Sequence, residues 1–362
     1  MLKKIASFTA IVFVFGLMTT TSYGQLDGLY EFDGGGDGTS WDDASNWEQV
    51  LDPFGAPISG DPATPPNAIT SVEIPMLGVV LIDNTQPGQT ARNVKIGTSG
   101  GTGSLTISGG DLTGRDINVG GDNVGFNLGL LTLTNGNLVA GDDITVGAGS
   151  VGVMVMSGGT ADVNDDFFVN ANSSFTMAGG SLTIGDRLVT LDNAGLVVNG
   201  GDIVADDDFF FFGTSQITVN SGSMIVKDKL RFDDVLTAGK LTINSGLVRS
   251  QEFGFFDGTN YVMNGTLEIN DGGVYQSQQP TSPTSPVSQL TEAAAWALIA
   301  DGTIITSEVA PLHLGVSTVI VPDFFGGTNL QFTQISIVPE PTSMLLLSLG
   351  SLGLLLRKKR SC

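Results

Sequence analysis

A six-residue corner recurs through the middle of the chain and constrains its fold more than any other feature. Leu105-Thr106-Ile107-Ser108-Gly109-Gly110 returns at 131–136, 154–159, 175–180, 196–201, 217–222 and 241–246, and in degraded form at 260–265. The closing glycines stand 19 to 26 residues apart. That period is too long for one hairpin and fits one coil of a solenoid. The residue three before each glycine is apolar throughout, as is the residue two after it. Alternation on both sides of a glycine corner is the signature of strand, turn, strand. Ile117-Asn118-Val119, Ile144-Thr145-Val146, Phe167-Phe168-Val169 and Leu188-Val189-Thr190 add a third strand per coil, continued at 209–212 and 230–232. The expected fold is all-β: a parallel β-solenoid, right-handed, of 8–9 coils over residues 69–272. One coil cannot bury its own apolar face, so stability must come from stacking.

The flanks differ from the repeat. Residues 25–68 read as an N-terminal cap, with Trp41 and Trp47 as an aromatic plug. The alternative role for the two tryptophans is a platform that stacks on sugars. Residues 273–288 are rich in Gln, Ser, Thr and Pro and read as a linker. Residues 289–337 read as a small C-terminal module, with a helix near 291–300 and strands near 304–305, 319–321 and 332–337.

Both ends read as addresses. Lys3 and Lys4 precede an apolar stretch from 5 to 18 and a small-residue site before Gln25. This is the pattern of a secretory signal peptide over 1–24, cut by signal peptidase. At the other end, Val338-Pro339-Glu340-Pro341 leads into the apolar run 344–356 and then Arg357-Lys358-Lys359-Arg360. The run is about 13 residues against the ~20 of a spanning helix, which suits a transient inner-membrane anchor. The basic cluster would stay on the cytoplasmic side.

The tail over 338–362 resembles the PEP-CTERM sorting signal, which implies recognition by an exosortase. With the tryptophan pair and the glycine corners, the chain also resembles the autotransporter-like β-helix proteins with such tails found in planctomycetes. That resemblance implies an exported surface protein associated with exopolysaccharide or extracellular matrix, and it brings no catalytic site.

Charge narrows the function further. The chain has 37 acidic and 15 basic residues, a net charge of −22. Six of the basic residues belong to the two ends, so the body between them is near −28. Nucleic acid is excluded as a partner for want of a basic patch. One Cys and one His exclude a disulfide scaffold and a Cys/His metal site. The glycine corners are not phosphate loops, since no helix and no Lys-Ser/Thr follows them.

The clearest polar pattern lies six residues after each corner glycine: Asp116, Asp142, Asp165, Asp186, Asp207, Asp228, Glu252 and Asp271. Stacked coils would set these carboxylates at ~5 Å steps. Three readings are open. Aspartate suits corners because its side chain bonds nearby amides, and charge protects a sheet flank. Ca²⁺ could bridge acids of adjacent coils. A carboxylate pair could cleave a glycosidic bond. His313 has no nucleophile or acid placed beside it. The basic residues of the body form no single stripe in the sequence, which weighs against lyase chemistry on acidic sugars. The expectation is therefore a non-enzymatic, structural or adhesive solenoid, with no cofactor unless Ca²⁺ occupies the acidic register. The alternative is a β-helix protein that binds or cleaves polysaccharide.

Overall fold

Strict alternation along the repeat places every second side chain inward, and three parallel sheets result. The structure is a computed structural model and describes residues 28–339, apart from 52–55, 76, 87, 99–100, 122–126, 233–238, 257–260, 263–264, 279–289, 308–311 and 322–329. The expected signal peptide over 1–24 and the tail from Glu340 onward lie outside the described residues.

The first face holds nine consecutive rungs among the described residues, before a short tenth at Ile304–Ile305. They run from Val79–Ile82 through the leading halves of Thr102–Gly114 and Leu128–Ala140, then Val151–Met156, Ser174–Met177, Gly195–Val198, Gln216–Val219, Lys240–Ile243 and Thr266–Ile269. The second face begins at Gln89–Thr90 and continues through Thr160–Val163, Ser181–Ile184 and Asp202–Ala205 to Val274–Gln278. The third face runs from Leu29–Phe32 through Ser71–Pro75, Asn93–Thr98, Asp116–Val119, Ile144–Val146, Phe167–Val169 and Leu188–Thr190 to Phe209–Phe211 and beyond. All these pairings are parallel and nearly all are in register, so like stacks on like. Leu105, Leu131, Met154, Phe175, Leu196, Ile217 and Leu241 form one interior column, each 1% exposed or less.

The glycines at the corners meet two demands. Gly136, Gly159, Gly180, Gly201 and Gly222 all have φ between +76° and +89°, a region that L side chains avoid. A Cβ at Gly180 or Gly201 would also lie 2.5 Å from the carbonyl oxygen of the corner glycine one coil earlier. A second glycine corner, unnoticed in the sequence, joins the third face to the first at Gly97, Gly120 and Gly147, with φ of +83°, +95° and +92°. Its signal is an Ile-Gly or Val-Gly pair after the third strand.

Several expectations need correction. The last corner is at Asn270-Asp271-Gly272, not at Gly265, because Leu241 pairs with Leu267 and Ile243 with Ile269. Tyr261–Val262 instead pairs antiparallel with Phe255–Phe256, an excursion off the coil. The rungs extend past the expected boundaries: Leu29–Phe32 is already a rung, and Val274–Gln278 is one within the supposed linker. The helix Glu292–Ala300 is N-capped by Thr291, whose side chain accepts from Ala294 N. The following strands belong to the solenoid. Ile304–Ile305 pairs with Thr266–Ile269, and the hairpin Leu312–Val321/Leu330–Pro339 pairs antiparallel with Val274–Gln278.

Trp41 and Trp47 are both 0% exposed, their rings edge to face at 5.0 Å, and Phe32 meets Trp47 at 5.3 Å. Trp47 Nε1 donates to Trp41 O at 2.9 Å. Neither ring presents a face to solvent, so stacking on sugar is corrected to a plug at the N-terminal end.

Candidate functional site: the acidic ladder

The corner between the second and third faces carries the acidic register. Five of the eight predicted residues form one column, proved by backbone bonds from each coil to the one before. Asp165 N donates to Asp142 O, Asp186 N to Asp165 O, Asp207 N to Asp186 O and Asp228 N to Asp207 O, at 3.0–3.2 Å. The other three do not join it. The corner before Asp116 and before Glu252 is one residue shorter, so these acids fall in the adjacent column, at the start of the third face. Asp271 sits at a different corner, between the first and second faces.

The adjacent column holds Asp116, Asp143, Asp166, Asp208 and Glu252, with Arg187 and Lys229 interposed. Its carboxylates brace the next coil. Asp143 Oδ1 accepts from Asp166 N, Asp166 Oδ1 from Arg187 N and Asp208 Oδ1 from Lys229 N, each at 3.0 Å. These are charge-assisted bonds to backbone amides, a strong class. Asp166 and Asp208 are nearly buried.

Basic residues scattered in the sequence converge here. Arg115 Nη2 lies 3.1 Å from Asp142, Lys229 Nζ 2.7 Å from Asp228, Lys227 Nζ 2.6 Å from Asp206 and Arg231 3.6 Å from Asp208; Arg187 closes on Asp166. The signal was present: Arg115, Arg187, Lys227 and Lys229 each sit next to an aspartate in sequence. The coil period was needed to see that they share one corner.

Charge compensation is incomplete in the middle of the ladder. Burial, then the neighbouring Asp166 carboxylate, raise Asp143 to about 6. Burial, a hydrogen bond with Asp207 and the Asp166 charge raise Asp186 to about 6. Burial likewise raises Asp116 and Asp208, against the pull of Arg115 and Arg231.

Three acid triads bring their oxygens within 4.8 Å of one another: Asp142/Asp143/Asp165, Asp165/Asp166/Asp186 and Asp207/Asp208/Asp228. Each offers three ligand atoms, about half of the 6–8 oxygens that Ca²⁺ takes. Water would have to supply the rest. Glu252 and Asp271 belong to none of these triads, nor does Asp116.

Beside the ladder, the outward column of the third face runs Asn118, Thr145, Phe168, Val189, Phe210 and Arg231 in register. Arg231 lies over the Phe210 ring at 5.4 Å.

Val338 and Pro339 end the strand Leu330–Pro339, paired with His313 and Leu312. Glu340, Pro341 and the basic cluster Arg357–360 lie outside the described residues. Among the described residues, no helix is long and apolar enough to cross a membrane. Residues 338–360 match the PEP-CTERM protein-sorting motif. No curated protein and no solved structure matches the chain. The motif marks an exported protein, sorted by an exosortase to the cell surface.

Proposed function

We propose that this exosortase-sorted solenoid is a non-enzymatic structural or adhesive component of the cell surface, associated with exopolysaccharide or extracellular matrix. A leader over 1–24, removed by signal peptidase, would begin its export, and the segment 344–356 would hold it transiently in the inner membrane until sorting. One observation supports the reading: the carboxylates of the column beside the candidate register brace one coil on the next. Asp143, Asp166 and Asp208 accept backbone amides of the following coil, and Asp142, Asp166 and Asp208 are paired across coils with Arg115, Arg187 and Arg231. A catalytic acid needs a free proton position over a substrate.

The test is terminal mapping of the protein recovered from its own host. The expected form starts near Gln25, ends near Pro341 and is found outside the cell. Recovery of an intact chain from the cytoplasm would overturn the proposal.

The alternative, a solenoid that binds or cleaves polysaccharide, draws support from Phe168 and Phe210 beside the carboxylates. Cleavage of any glycan from a broad panel, abolished in the Asp207→Asn/Asp228→Asn double variant with the fold retained, would favour it.

A further inference from the structure

On part of the first face the rule that a sheet exposed to water alternates apolar inside with polar outside fails. Its outward positions carry no charge over seven consecutive rungs, from Val79–Ile82 to Gln216–Val219. The first charge is Lys240, which is paired with Glu268. In a body near −28, that is a neutral strip on the face opposite the acidic corner.

The strip is also apolar toward its N-terminal half. Val79, Leu81, Leu130, Val151, Val153 and Val155 point outward on three of four adjoining rungs, with Val79 49% and Val151 40% exposed, and the rung between them turns Ser104 and Thr106 outward. Leu77 extends it at the rim. It is 80% exposed and held at φ +65°, with its N–H donating to Thr102 O at 2.8 Å. Thr106, Thr132, Thr176 and Thr218 continue the surface as a flat β-branched column. Exposed apolar residues set in an uncharged surface mark a candidate interaction site.

From this we infer that the first face is a lateral interface on which a second copy of the same chain packs, sheet on sheet. Three observations select that partner. The outward side chains repeat at the rung spacing of about 4.8 Å, and another solenoid face offers the same repeat, so the rows can interdigitate. Like charge repels the copies at the acidic corner, which leaves the neutral face as the approach. The seven rungs measure about 34 Å by 15 Å from strand geometry. That buries roughly 1,000 Å² over both copies, about the lower bound for a specific interface. A two-fold axis near Val151–Met156 would make the contact self-complementary and closed.

This goes beyond export and sorting, and its test reads neither. Thr132→Cys, close to the axis, is introduced into the full chain with Cys362→Ser. Producing cells are treated with a short bis-maleimide. Thr183→Cys on the second face serves as the control. The expected result is a product of twice the chain mass from Thr132→Cys and at least tenfold less from Thr183→Cys. Adding Val153→Lys, an outward change that leaves the core intact, should abolish the product while thermal unfolding stays unchanged. Equal cross-linking at both positions, no product from Thr132→Cys, a product with another protein's mass, or persistence with Val153→Lys would each overturn the inference.

Discussion

A Cβ at Gly201 would meet Gly180 O at 2.5 Å, and the backbone there has φ +82°. Gly201→Ala is therefore expected to lower the unfolding free energy by about 2 kcal/mol or more, read from urea titration. Gly195→Ala is the control: its nearest contact would be Ser174 Cβ at 3.8 Å. It should be neutral or slightly stabilising. The same scale governs pH. Asp143 and Asp186 are raised to about 6 in the folded chain from the ordinary value of 3.8. The folded state thus holds more protons than the unfolded state between about pH 4 and 6, and stability falls as pH rises through that window. The melting temperature should be higher at pH 5 than at pH 7, and Asp143→Asn should flatten the difference. If Ca²⁺ occupies the triads, millimolar Ca²⁺ should raise the melting temperature at pH 7 and chelator should reverse it; a temperature indifferent to both removes the cation reading. The corner residues were legible in sequence because Gly and Asp act through local backbone geometry. Asp116 and Glu252 were misplaced because one residue fewer in a corner shifts the column without altering local pattern.

The strands depend on what lies one coil away. Along the third and second faces an aromatic series threads the C-terminal half of the interior. Phe211 stacks on Phe232 at 4.6 Å, Phe232 meets Phe253 edge to face at 6.3 Å, and Phe253 meets Tyr275 at 4.7 Å. Tyr275 keeps its hydroxyl satisfied by Ser250 Oγ at 2.7 Å. Such pairs add about 0.5–1.5 kcal/mol to area burial. Phe232→Ala should cost about 3–5 kcal/mol, measured by denaturant unfolding, since it opens a cavity between two rings. The strands themselves were readable from alternation. The last coil was not, because the excursion through Phe255–Phe256 and Tyr261–Val262 supplies a second glycine, Gly265, at a plausible distance. Pairing of Leu241 with Leu267, a contact between coils, is what selects Gly272.

A stack of parallel rungs has two open ends, and each would expose core if left bare. At the N-terminal end Trp41 and Trp47 close it under the antiparallel strand Trp47–Leu51. At the other end Ile304–Ile305, the helix with buried Ala295, and the hairpin through fully buried Ile335 cover Leu267, Ile269 and Tyr275. Removing residues 290–337 while keeping the sorting tail should leave a chain that binds a hydrophobic dye and loses most of its soluble yield. Unchanged yield and dye binding would show the cap to be dispensable. The linear sequence by itself determined the parallel solenoid, its three strands per coil, the glycine corners, the acidic bias and the sorting tail. Each of these is a local or periodic property, written in spacing and composition. Only the tertiary structure decided which acids share a column, which basic residues neutralise them, that the tryptophans are plugs, and that one face carries no charge over seven rungs. Those depend on the length of each corner, because a single residue gained or lost between strands changes which side chains meet across the coils.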